Sequence, residues 1–135
     1  MVAAADNLCV AIIDDDESFC RSSGRMLRAA GFRSVLYLSA EAFLADPVPR
    51  HFDCLLVDIQ LTGISGLELQ RHLAAQGRRT PVIFITAHDD PVARAEAVQS
   101  GCMGFFRKTD DGARILELLN RIAPTPLNGG SGGTR

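Results

Sequence analysis

Five short apolar runs punctuate this chain, and a segment with the spacing of a helix follows each one. The runs are Leu8-Cys9-Val10-Ala11-Ile12-Ile13, Ser34-Val35-Leu36-Tyr37-Leu38, Cys54-Leu55-Leu56-Val57, Pro81-Val82-Ile83-Phe84-Ile85 and Met103-Gly104-Phe105-Phe106. A strand with one wet face alternates apolar and polar residues. Unbroken apolarity over four to six residues suits a strand buried on both faces. Strands that alternate with helices are joined by right-handed crossovers. The expected fold is therefore α/β, a parallel sheet with helices on both sides.

The intervening segments carry helix punctuation. Phe19, Ser23, Met26, Leu27 and Ala30 share one face of the first helix, and Gly31 supplies its stop. Ser39 is placed to cap a short second helix through Leu44, which Asp46-Pro47-Val48-Pro49 ends. Leu61-Thr62-Gly63-Ile64-Ser65-Gly66 leads into a third helix with Leu69 and Leu73 inward. Pro91 opens a fourth that stops at Ser100-Gly101. Asp110 or Asp111 starts the last helix, whose inner stripe is Ile115, Leu118, Leu119 and Ile122.

Length and composition narrow the function classes. The 135 residues suit one domain, and 47% apolar residues suffice for a core. We expect the domain to occupy 1–123. Residues 124–135, rich in Pro, Gly and Ser, read as a flexible tail, a linker remnant or a cloning scar. The net charge of −2 and the lack of a Lys/Arg stripe argue against nucleic-acid binding by this chain itself. Cys9, Cys20, Cys54 and Cys102 have no metal-like spacing and read as small hydrophobes in a reducing compartment. Met1 to Leu8 lacks the basic and apolar parts of a signal peptide, and no apolar run approaches the ~20 residues of a membrane helix. The expected location is the cytoplasm.

In an open parallel sheet, ligands bind beyond the carboxyl ends of the strands. The first strand ends in Asp14-Asp15-Asp16, the third in Asp58, the fourth in Thr86 and the fifth reaches Lys108. Singly, each has an ordinary role as a cap, a turn residue or a surface charge. Together they bring carboxylates, a hydroxyl and an ammonium to one rim. Clustered carboxylates repel unless a cation neutralises them, and a hard divalent ion with oxygen ligands does so. A carboxylate can also act as a nucleophile and form an aspartyl phosphate.

These motifs resemble the receiver domains of bacterial two-component systems. The resemblance rests on Ile12-Ile13-Asp14-Asp15-Asp16, Leu55-Leu56-Val57-Asp58, Ser65-Gly66-Leu67-Glu68-Leu69, Val82-Ile83-Phe84-Ile85-Thr86-Ala87 and Phe105-Phe106-Arg107-Lys108, and covers roughly Leu8 to Ile122. It implies a flavodoxin-like (βα)5 sandwich with strand order 2-1-3-4-5. It implies that Asp58 accepts a phosphoryl group from a sensor histidine kinase. Mg²⁺, or Mn²⁺, would be held by Asp15, Asp14, Asp58 and the backbone carbonyl of Gln60, with a shift to Asp15 and Asp16 left open by the acidic triplet. Thr86 would be the switch hydroxyl, Ala87 would keep space open and Lys108 would bind the phosphoryl group. Phe105 would follow Thr86 inward, changing the face built from the fourth helix, fifth strand and fifth helix. Gln60 and His88 would tune the loss of the phosphoryl group. By the same resemblance the chain is a regulator rather than an enzyme. That face is a candidate homodimer surface, and the chain would either touch DNA only through a C-terminal helix-turn-helix domain or be a stand-alone receiver.

Two family prolines are replaced, by Thr62 in the loop after Asp58 and by Thr109 after Lys108, so the Lys108-Thr109 bond could be cis or trans. Two rival readings remain. One is a phosphohydrolase with Asp14 as nucleophile in a D-x-D motif, for which Ser18 is a weak match to the expected hydroxyl. The other is a receiver-shaped interaction module that signals without phosphorylation.

Overall fold

The computed structural model describes residues 8–48 and 50–122. The expectations for the first seven residues and for the tail 124–135 lie outside them. The order is β1 (Cys9–Ile13), α1 (Glu17–Ala29), β2 (Arg33–Tyr37), α2 (Ala40–Ala45), β3 (Cys54–Asp58), α3 (Gly66–Ala75), β4 (Val82–Thr86), α4 (Pro91–Gln99), β5 (Gly104–Arg107) and α5 (Gly112–Ile122). All four strand pairings are parallel, in the order β2-β1-β3-β4-β5. The strand order implied by the resemblance therefore holds.

Side-chain alternation sorts the central strands onto two faces. Val10, Ile12, Cys54, Leu56, Ile83 and Ile85 pack with Cys20 and Leu27 of α1 and with Ile115 and Leu119 of α5. Ala11, Ile13, Leu55, Val57, Val82 and Phe84 pack with α2, α3 and α4 through Phe43, Leu69, Leu73 and Ala97. Both sets of strand residues are buried, which is why the runs read as continuous rather than alternating. Phe84 is fully enclosed.

Local chemistry sets the helix ends. Ser39 accepts from the N–H of Ala42, and Ser65 and Glu68 form a reciprocal capping box. Asp90 accepts from the N–H of Val92, with Pro91 in the first turn. Asp111, not Asp110, opens α5 by accepting from the N–H of Ala113. Asp110 instead closes a turn onto the N–H of Arg107.

Several boundaries move by one residue. Leu8, Pro81 and Met103 lie just before their strands, and Leu38 lies just after β2 and is exposed. Ala30 caps α1 and faces solvent, whereas Ser23 and Gly24 are buried. The reason is that α1 lies close on β2, so that a Cβ at Gly24 would already touch Ser34 and Leu36, and the inner stripe rotates toward it. In α5, Ile115 and Leu119 are buried and Leu118 and Ile122 only partly so. The four cysteines are unpaired, and burial pushes the Cys20 thiol up to about 11 and the Cys54 thiol up to about 12. The Lys108-Thr109 bond is trans. Among the described residues no helix is long and apolar enough to cross a membrane.

Candidate functional site

The ladder hydrogen bonds continue one step past the strands and place the polar groups. Asp14 N–H donates to the Tyr37 carbonyl (3.0 Å), Ile59 N–H to Ile85 (2.9 Å) and Lys108 N–H to Thr86 (2.8 Å). Ile12 and Leu56 are register partners on the α1/α5 side. Asp14 and Asp58 follow each by two residues, so their side chains leave on the same side. Lys108 follows Phe106, which packs on that side too. Three chain segments thus deliver their charges to one place by strand parity.

The geometry is close. Lys108 Nζ lies 2.9 Å from Asp14 Oδ2, 3.4 Å from Asp58 Oδ2 and 3.9 Å from Asp16 Oδ2. It donates to Asp14 Oδ1 at 3.1 Å and sits 4.7 Å from the centre of the Phe19 ring. Asp14, Asp15 and Asp58 each offer a carboxylate oxygen, and these lie within 4.8 Å of one another. Asp14 and Asp58 are buried, while Asp15 is exposed. Asp58 Oδ1 accepts the N–H of Gln60 (2.9 Å), and Asp14 Oδ1 accepts the N–H of Asp16 (2.8 Å).

Burial dominates the electrostatics of Asp14 and drives its carboxyl up to about 6. The hydrogen bonds from Lys108 and from the Asp16 N–H oppose that rise, and the Asp58 charge adds to it. Burial also works against the Lys108 ammonium. The Asp14 hydrogen bond and the charges of Asp58 and Asp14 outweigh it, and Lys108 stands above the usual lysine value. Asp14 Oδ2 is within ion-pair distance of Lys108 but off the direction of a hydrogen bond. It is buried with no hydrogen-bond partner. Two buried carboxylates that share one lysine are costly to keep ionised together, and a divalent cation relieves that cost.

Asp16 stands apart from the cation group. Its Oδ1 accepts from the N–H of Phe19 and caps α1, so the shifted pair Asp15 and Asp16 lacks the buried oxygen that Asp14 supplies. The Thr86 hydroxyl is turned away from the carboxylates. It donates to the His88 carbonyl (2.6 Å) and accepts from the His88 N–H (3.2 Å). Thr86 continues the Val82 and Phe84 side of β4, where Phe105 also packs, half-buried. Ala87, His88 and Gln60 are exposed at the rim. His51 and His72 are surface residues, remote in sequence from the rim.

Several neighbours were not assigned to the site from the sequence. Phe19 floors Lys108, Arg94 lies 4.5 Å over the Phe105 ring, and Thr62 donates to Asp15 Oδ2 (3.2 Å). Helical spacing had marked Phe19 as inward. Nothing local marks Arg94 or Thr62. Gly66 also matters. A Cβ there would lie 2.5 Å from the Asp58 carbonyl oxygen, so α3 can start against β3 only with glycine.

A five-stranded parallel α/β sandwich with an acidic group and one lysine at the carboxyl edge defines a response-regulator type of signalling domain. Residues 10–120 match the response regulator receiver domain model, and the chain belongs to that family. It is 37% identical over 114 residues to the transcriptional regulatory protein FixJ of Azorhizobium caulinodans, covering 84% of this chain and 54% of that protein. It is 35% identical over 116 residues to the response regulator protein TmoT of Ectopseudomonas mendocina, covering 84% of this chain and 53% of that protein. The chain therefore spans about half the length of these relatives. A crystal structure of FixJ-N superposes with a TM-score of 0.78 at 34% identity, covering 86% of this chain and 93% of that one.

Receiver domains of response regulators are signalling proteins that interact with histidine kinases and bind Mg²⁺ at an acidic pocket. The residues here fit such an ion. The donors are all hard oxygens, and two of the three carboxylates, Asp14 and Asp58, are buried.

Proposed function

We propose that Asp58 is the phosphoryl acceptor of a two-component regulator. A partner kinase's phosphohistidine is the donor. An Asp58 carboxylate oxygen forms the new O–P bond as the P–N bond to the imidazole breaks, and the imidazole nitrogen takes the electron pair. Asp14, Asp15, Asp58 and the Gln60 carbonyl would hold Mg²⁺, which supplies counter-charge to the phosphoryl oxygens. Lys108 adds a second positive group from its seat between Asp14 and Asp58.

The observation that carries this reading is the position of Asp58. It is buried at the end of β3, 3.4 Å from Lys108, and shares a sub-5 Å group of oxygens with Asp14 and Asp15. A phosphorylated Asp58 gains roughly −1.5 to −2 charge and three acceptor oxygens. Thr86 then has a reason to leave the His88 carbonyl, and Phe105 packs on the same side of the sheet to follow it. The readout is a changed α4-β5-α5 face, available to a second copy or to an output domain that acts on DNA.

The test is acetyl phosphate or phosphoramidate with Mg²⁺, read by intact mass. The wild-type domain gains one phosphoryl group and Asp58→Asn gains none. Labelling that survives Asp58→Asn overturns the assignment.

A further inference from the structure

The loop between β3 and α3 is tied down on two sides. On one side, Thr62 Oγ1 donates to Asp15 Oδ2 at 3.2 Å, across 47 residues of chain. On the other, the N–H of Ile64 donates to Glu41 Oε2 of α2 at 3.0 Å. Gly63 stands between them at φ +81, and a Cβ there would lie within 2.4 Å of the same Glu41 oxygen. The turn takes a positive φ that glycine adopts without strain. Glu41 thus fixes the strip of chain that presents the Thr62 hydroxyl.

Asp15 needs such a partner. It is exposed, in contrast to Asp14 and Asp58, and no packing holds its side chain. A free carboxylate must give up rotamer freedom to ligate a cation. Thr62 has a β-branched, stiff side chain and donates one hydrogen bond. Its contact with Oδ2 uses one of the acceptor sites of a carboxylate that has about four.

We propose that Thr62 is a positioning residue of the cation site, setting the Asp15 carboxylate for divalent-ion binding. The inference rests on the cation-site reading given above. Hydrogen-bond partners of metal ligands commonly govern metal affinity, because they hold the ligand in its binding orientation. Here the partner comes from a loop anchored to α2, so α2 and the cation site are mechanically joined through Glu41, Gly63 and Thr62.

The test is calorimetric titration of the domain with Mg²⁺ alone, without a phosphoryl donor. Thr62→Val keeps the shape and removes the hydroxyl, and it should weaken Mg²⁺ binding by about tenfold. Thr62→Ser restores the donor and should bind close to wild type. Asp15→Ala is the control. If Thr62→Val binds as wild type while Asp15→Ala is weakened, the cation site stands and the role of Thr62 is overturned. Equal weakening by Ser and Val would show that keeping the hydroxyl does not keep binding, which also overturns it. A wild-type domain with no Mg²⁺ binding would overturn the cation site and this inference together.

Discussion

Lys108 Nζ sits 2.9 Å from Asp14 Oδ2, joining two residues 94 positions apart. The pair closes the carboxyl edge of the sheet between β1 and β5. It also places a positive charge against the buried carboxylates. Lys108 is therefore a structural counter-ion of the unphosphorylated domain. Its position between Asp14 and Asp58 means that a phosphoryl group on Asp58 would compete with Asp14 for it.

The raised pKa of Asp14 has a definite sign. Its folded value of about 6 exceeds the ordinary 3.8. Its contribution to stability is thus fully present below about 3.8 and is lost as pH rises through about 6. At pH 7 the ionised, buried carboxylate is a net cost. Asp14→Asn should stabilise the Mg²⁺-free domain at pH 7, by on the order of 1–2 kcal/mol, and much less at pH 4. Thermal melts of both proteins from pH 4 to 7 check this. A gap that stays constant with pH would show that Asp14 does not titrate in that range.

Removing the lysine tests the other half of the pair. Lys108→Ala leaves Asp14 and Asp58 facing each other without a positive charge. The Mg²⁺-free domain should lose about 1–3 kcal/mol at pH 7, because an uncompensated buried charge is costly. Millimolar Mg²⁺ should restore most of that loss. Urea titrations with and without Mg²⁺ measure both effects, and equal losses in the two conditions would contradict the prediction.

Gly66→Ala probes the contact between α3 and β3. The added methyl would meet the Asp58 carbonyl oxygen at 2.5 Å and the Ile59 Cα at 2.9 Å, both backbone atoms that cannot swing aside. Overpacking of this kind costs about 1–3 kcal/mol. The displaced backbone is that of Asp58 itself, so phosphoryl uptake from acetyl phosphate should slow as stability falls. A variant with wild-type stability and uptake would show that the loop adjusts freely.

Thr86→Val separates uptake from readout. The substitution keeps the branched shape and removes the donor to the His88 carbonyl. The resting domain should lose about 1 kcal/mol, the net worth of one such bond. Asp58 should still take up its phosphoryl group, measured by intact mass. The amide NMR shifts of α4 and β5 that accompany uptake in wild type should be largely absent. Shifts of wild-type size would place the switch elsewhere.

Much of the fold was legible because its signals are local. Continuous apolar runs named the buried strands, and Ser39 and Pro91 marked helix starts, since caps act within three or four residues. The boundary errors at Leu8, Leu38, Pro81 and Met103 arise because ladder partners, not the residue's own polarity, end a strand. Strand order was not readable from the residues and came from the resemblance.

For the site, the sequence alone determined which chemical groups gather. Parallel strands all end at one edge, so Asp14, Asp58, Thr86 and the approach to Lys108 had to meet there once the strands were recognised. Only the tertiary structure decided how they divide the work. It turned Asp14 inward and Asp16 onto the first turn of α1, and it seated Lys108 between two carboxylates. It engaged Thr86 with His88 and gave Asp15 a partner in Thr62. The physical reason is range and precision. Most of these contacts join residues far apart in the chain, and all depend on separations of about an ångström, which no pattern within a few residues encodes.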